Sequence, residues 1–142
     1  MNVSLECIVT EKILSKTGTP VTAPSHEKTP IFCPVHTALS LIGGKYKAVI
    51  LWNLLEGTLR FSELRKSVSG ATPKMLTQQL RELEADGLIT RKVYAVVPPR
   101  VDYSLTESGL SLRPVLEAMY TWGNEYLKKQ GCCPNCGMRK PE

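Results

Sequence analysis

Residues 71–88 read ATPKMLTQQLRELEADGL, and the side-chain order of this stretch decides the fold. Thr72 has a hydroxyl oxygen that can accept from the open amides of a first helical turn, and Pro73 suits the first helical position, where no N–H is required. Gly87 follows the last turn as a stop. Between these signals Leu76, Leu80 and Leu83 recur at helical spacing. At about 100° per residue they point to one side, while Lys74, Thr77, Gln78 and Arg81 share a face roughly opposite. No acidic side chain occurs before Glu82, and Glu82, Glu84 and Asp86 gather at the far end. The first half of the polar face therefore offers positive charge, amides and hydroxyls, which suit phosphates and base edges, and only that half is expected to enter a groove. Gln78 could pair with adenine and Arg81 with guanine, or either could hold a phosphate; the residues leave this open.

Working upstream, RFSELRKSV at 60–68 predicts a short helix capped by Ser62, and Ser69 with Gly70 turns the chain into the stretch above. KYKAVILWNLLE at 45–56 is apolar nearly all round, through Val49, Ile50, Leu51, Trp52, Leu54 and Leu55, so this helix belongs at the centre and ends at Gly57. A first helix is expected from Pro34 through Ile42, with Val35, Ala38 and Leu39 on its stripe, interrupted by Gly43 and Gly44. Downstream, ITRKVYAVV (89–97) and RVDYSL (100–105) are β-rich and joined through Pro98 and Pro99, which predicts a two-stranded hairpin. Thr106 then caps a long helical tract to about Gln130, striped by Leu112, Val115, Leu116, Met119, Trp122 and Tyr126, with a kink expected at Pro114.

Short helix, tight turn, second helix and hairpin, in that order, predict a mainly α fold with a small β-hairpin, a winged helix-turn-helix. Arg91, Lys92 and Arg100 on or beside the hairpin would make its wing cationic, able to track an adjacent backbone or minor groove. Thr72, Pro73, Lys74, Thr77, Gln78, Arg81, Arg91, Lys92 and Arg100 are thus the expected DNA-binding set.

At 142 residues the chain can bury one core of ordinary size. The expected organisation is a loose N-terminal arm over 1–30 containing the Pro-, Ser- and Thr-rich run SKTGTPVTAPSHEKTP, one domain over 31–130, and a cysteine-containing tail over 131–142. The 42% apolar and 22% charged composition fits a globular protein, and no apolar run is long enough to cross a bilayer. The first thirty residues lack the features of a signal peptide, so a cytoplasmic location is expected. Lys and Arg outnumber Asp and Glu by 18 to 13, a net charge of +5 that mildly favours polyanions. There is no nucleotide loop and no Ser-His-Asp set, and the only histidines are His26 and His36, so an enzyme is not expected.

The blocks CPVHTALSLIGGKYKAVILWNLLEG, RFSEL, TPKMLTQQLRELEADGLITR and VPPRVDYSLTESG, running from Cys33 to about Gly123, together resemble the HxlR family of winged-helix transcription regulators, relatives of MarR. The resemblance implies a homodimer paired through its first and last long helices, binding a pseudo-palindromic operator in double-stranded DNA and repressing or activating nearby genes. The stripe over 112–126 offers such a seam on its own account. Tyr46 stands where the family commonly has tryptophan, which keeps an aromatic ring, and the arm and the CCPNCG run lie outside the family pattern.

Five cysteines in a reducing compartment suit thiol chemistry or metal ligation better than a disulfide framework. Cys33 immediately precedes Pro34, where open helix amides and the dipole favour a thiolate. The resemblance makes it the leading sensor of oxidants or electrophiles such as quinones and aldehydes; the plain alternative is a buried, inert cysteine. His36, one turn on, could tune the thiol or be ordinary surface. Cys133 and Cys136 form a C-x-x-C that resembles half a zinc knuckle whose other ligands would have to come from Cys132, Cys7, Cys33 or a second subunit. No cofactor is expected, zinc being the single candidate. In a redox role, Cys132, Cys133 or Cys136 could instead resolve oxidised Cys33 of the other subunit as a disulfide. Two rival readings remain open: a regulator without thiol sensing, controlled by zinc through the tail, and a winged-helix module that binds protein instead of DNA.

Overall fold

The structure, a computed structural model, describes residues 33–132. The chain divides into two units, residues 1–39 and 40–142, and the described part of the first is Cys33 and the opening of helix α1 (Pro34–Ile42). The expected arm over 1–30 lies outside the described residues.

The second unit continues with α2 (Lys47–Leu54), β1 (Leu59–Arg60), α3 (Phe61–Ser67), α4 (Pro73–Ala85), β2 (Ile89–Tyr94), β3 (Arg100–Leu105), α5 (Glu107–Ser111) and α6 (Arg113–Lys129). Its core takes the positions the sequence marks as apolar: Ile50, Leu51 and Leu54 of α2, Leu64 of α3, and all three leucines of α4 are buried. Burial of each such side chain is worth roughly 1.5–3 kcal/mol, so the leucine row fixes the rotation of α4 about its own axis. The limits of α4 are those expected. Thr72 Oγ1 accepts from the Met75 amide at 3.2 Å. At the other end Gly87, at φ +73°, lets the Leu88 amide turn back to the Leu83 carbonyl at 3.0 Å, a left-handed closure open to glycine at little cost.

Three expectations need correction. The hairpin gains a third strand, giving an antiparallel sheet in the order β1-β3-β2, because Leu59 and Arg60 pair with Tyr103 and Asp102. That pairing holds Arg60 extended, and α3 begins directly after it at Phe61, two residues earlier than a cap at Ser62 would give. The cap position is Arg60 and not Ser62, and the Glu63 carboxylate reaches back to accept the Arg60 amide at 2.8 Å. Finally, the tract from Thr106 to Gln130 is two helices instead of one kinked helix. Pro114 has no N–H to give the carbonyl one turn back, so α5 closes at Ser111 and α6 restarts with the proline in its first turn, where no donor is missed.

Thr106 secures the junction of sheet and helix. Its hydroxyl oxygen accepts from the Gly109 amide at 3.0 Å and donates to the Gly87 carbonyl at 2.6 Å, while its own amide reaches the Leu88 carbonyl at 3.1 Å. Gly109 packs against that same Leu88 carbonyl with no space for a side chain. Trp52 of α2 stacks on Tyr120 of α6 with ring centroids 4.8 Å apart. Among the described residues no helix is long and apolar enough to cross a membrane.

Candidate nucleic-acid interface

With its leucines inward, α4 turns Lys74, Gln78 and Arg81 to solvent and leaves Thr77 half-buried beside them. Thr77 spends its hydroxyl proton on the Pro73 carbonyl at 2.8 Å, so toward an outside group it can act only as an acceptor. Gln78 donates from Nε2 to Glu82 Oε1 at 3.0 Å, one turn down the same helix. The turn that delivers the chain into α4 is held by a bond the sequence did not announce: Tyr46 donates its phenol to the Gly70 carbonyl at 2.8 Å, with Gly70 at φ +89°. The Tyr46 ring therefore clamps the turn of the helix-turn-helix.

The far end of α4 is anchored by charge. Lys47, the first residue of α2, is buried; its ammonium lies 2.9 Å from Glu82 Oε2 and 3.7 Å from Asp86 Oδ2. The Gln78 amide, and then the Lys47 ammonium, hold the Glu82 carboxyl below the usual glutamate range.

The wing divides the cations that the sequence grouped together. Arg91 points to the helix side of the sheet, where it lines a cleft of about 170 Å³ with Thr77, Leu80, Arg81 and Glu84 of α4 and Tyr103 of β3. Arg81 of α4 and Arg91 of β2, ten residues apart in the chain, thus line one polar cleft. Lys92 and Arg100 occupy the other face, each cation about 5 Å from the Tyr94 ring. Arg100 grips buried Asp102 through two 2.7 Å bonds from Nε and Nη2. That hydrogen bonding raises the arginine above its ordinary value and holds the Asp102 carboxyl below the usual aspartate range; the charges of Arg60 and Lys92 add to the lowering. Arg100 is therefore ion-paired within the wing. Thr72 and Pro73 sit exposed at the mouth of α4.

The stripe on α6 also splits. Leu116 is buried and Leu112 is packed on the core, whereas Val115, Met119, Trp122 and Tyr126 form an exposed face on which Trp122 and Tyr126 stack 5.2 Å apart. Cys33 is exposed, not buried; its carbonyl accepts from the Thr37 amide at 2.9 Å and hydroxyl at 3.1 Å. His36 is exposed as well. Cys132 is exposed just beyond α6. Cys7, His26, Cys133 and Cys136, the last two being the zinc candidates, lie outside the described residues. The features sequence reasoning missed are Lys47 with Glu82, the Tyr46 clamp and Asp102. A lysine opening a largely apolar helix was the available signal for the first.

A short helix, a glycine turn, a second helix with a basic opening half and a hairpin wing define a winged helix-turn-helix of the transcription-regulator class. Within that class the chain belongs to the HxlR-like helix-turn-helix family, whose model matches residues 41–131. It is 54% identical over 94 residues to the HTH-type transcriptional regulator YdeP of Bacillus subtilis (strain 168), covering 66% of this chain and 73% of YdeP. The oxidised form of the redox regulator HypR superposes with a TM-score of 0.63 at 48% identity, over 66% of this chain and 96% of HypR. The reduced form of YodB from B. subtilis gives 0.59 at 32% identity, over 70% of this chain and 98% of YodB; YodB is also known quinone-bound. The chain is a transcriptional regulator.

Proposed function

We propose that this regulator acts as a homodimer on a pseudo-palindromic operator, reading duplex DNA with the first half of α4 and steadying the complex with its wing. The observation that carries the reading is the arrangement of α4: leucines locked in the core, Lys74, Gln78 and Arg81 projecting, and acidic residues confined to the end anchored by Lys47. Lys74 and Arg81 supply phosphate or guanine contacts, Gln78 and Thr77 supply polar ones, and Thr72 and Pro73 bring the helix mouth to the backbone. Arg91 joins Arg81 at the shared cleft, and Lys92 and Arg100 face the flanking backbone from the outer side of the wing. The exposed face of α6 is the seam between protomers.

Binding is gated by thiol chemistry at Cys33. Its exposure supports this reading, as do the names of its relatives, HypR being a redox regulator studied oxidised and reduced and YodB having a quinone-bound form. Oxidation would join the Cys33 sulfur to a cysteine of the other subunit, Cys132, Cys133 or Cys136, with two thiol protons and two electrons passing to the oxidant; an electrophilic quinone would instead add to the thiolate. Either change would reorient the dimer helices and alter the spacing of the two α4 helices.

The experiment is a salt titration of binding to DNA from the protein's own promoter region, with wild type and Lys74→Ala plus Arg81→Ala. Four phosphate contacts are lost per dimer, two from each protomer, which lowers the slope of log K against log salt by roughly 3.6 and weakens binding about tenfold or more. An unchanged slope and affinity would remove α4 from the interface.

A further inference from the structure

The polar chain behind α4 carries a consequence for base selectivity. We propose that Lys47 is a specificity-determining positioning residue: through Glu82 it fixes the amide of Gln78 so that this side chain prefers adenine to guanine. The inference rests on the reading of α4 given above.

Three contacts carry it. The Lys47 ammonium, buried beneath the helix, is 2.9 Å from Glu82 Oε2. The other oxygen of the same carboxylate, Oε1, receives Gln78 Nε2 at 3.0 Å. Gly44 keeps the lysine in place, because a Cβ there would run into Gln79 Oε1 and into the Lys47 stem. An ionised carboxylate only accepts hydrogen bonds, so the nitrogen of the Gln78 amide has to face Glu82 and its oxygen has to face away. Glu82 is ionised at neutral pH, its carboxyl held below the usual glutamate range by the Gln78 amide and then by Lys47, and the part of the lysine is to fix where that carboxylate sits. One of the two N–H donors of Gln78 is thereby committed. What remains is one acceptor and one donor, the complement of the N6 and N7 edge of adenine. Guanine presents two acceptors, O6 and N7, and the second donor needed to satisfy both is spent on Glu82.

The test is affinity selection by the full chain from a pool of randomised duplex DNA, followed by sequencing, for wild type, Gln78→Ala, Lys47→Met, Glu82→Gln and the Lys47→Met plus Gln78→Ala pair. Glu82→Gln keeps the shape but can donate or accept, so it frees the amide even if Lys47→Met folds poorly. The position read by Gln78 is the one whose adenine preference Gln78→Ala erases. Lys47→Met and Glu82→Gln are expected to lower the adenine-to-guanine ratio there by about fivefold or more, the range set by one good base contact, leave the other positions as in wild type, and have no further effect once Gln78 is alanine. If both variants keep the wild-type ratio while Gln78→Ala erases it, the positioning role is overturned and the reading of α4 stands. An even relaxation at every position also overturns it, as that is the mark of a purely structural lysine. If Gln78→Ala changes no position, base reading by Gln78 falls and the inference with it.

Discussion

Trp122→Ala tests the assembly most directly. In the described chain Trp122 is 67% exposed, the largest side chain on the outer face of α6, and its ring stacks only on its neighbour Tyr126 one turn away. A tryptophan carries up to about 250 Å² of surface, so roughly 165 Å² is open on each protomer. At about 25 cal/mol per Å², its complete burial against a second copy would be worth close to 4 kcal/mol per protomer, and a two-fold interface counts it twice. Incomplete burial and the ordering of side chains at the seam offset about half or more of this. A loss of roughly 2–4 kcal/mol per dimer remains, equivalent to a dimer dissociation constant raised some 30- to 1,000-fold. Sedimentation equilibrium across a dilution series should therefore show wild-type dimers at concentrations where the variant is monomeric. The circular dichroism spectrum should be unaltered, because the core contacts of α6 run through Leu116 and Tyr120 and not through Trp122. Identical dissociation curves would place the seam elsewhere and refute the reasoning.

Other outcomes follow from individual contacts. Gly109→Ala puts a methyl into the Leu88 carbonyl and beside Leu105, which should cost roughly 1–3 kcal/mol and lower the melting temperature by about 4–8 °C per kcal/mol; an unchanged melt would mean that α5 does not pack against that carbonyl. Folding lowers the carboxyl of Asp102, so its stabilising share is complete above the unfolded aspartate value of about 3.9 and drains away as pH falls through the lower folded value. Denaturant midpoints of wild type and Asp102→Asn should accordingly converge on acidification, and a gap that stays constant from neutral pH to strong acid would count against the pair. Cys33→Ser should abolish both the diamide-induced dimer band on non-reducing gels and the loss of DNA binding after quinone treatment; a variant that still responds moves the sensor to another cysteine.

How much of this was legible beforehand can be followed along α4. Its limits, its buried row and its polar face were all readable, because capping and helical periodicity are local: Thr72, Pro73 and Gly87 act within one turn of themselves, and leucines three and four apart share a side whatever they pack against. The hairpin strands were readable for the same reason. The cap of α3 and the break between α5 and α6 are not legible in this way, because a distant strand decides the first and the missing donor of a proline the second. Arg60 is held extended by a strand some forty residues later in the chain, and Pro114 ends a helix outright where a bend was expected.

By itself, then, the sequence determined the helix-turn-helix and the hairpin that follows it, the core rows and the family, since these depend on spacing and on motifs close along the chain. Only the tertiary structure decided which charges are free and which are spent. It put Arg91 beside Arg81 and committed Arg100 to Asp102. It also set Lys47 under Glu82 and turned Trp122 outward while Leu116 faced in. The physical reason is that an ion pair or hydrogen bond is a matter of a few ångströms between atoms, and residues far apart in sequence acquire such distances only when the core has fixed the rotation of every helix and the register of every strand.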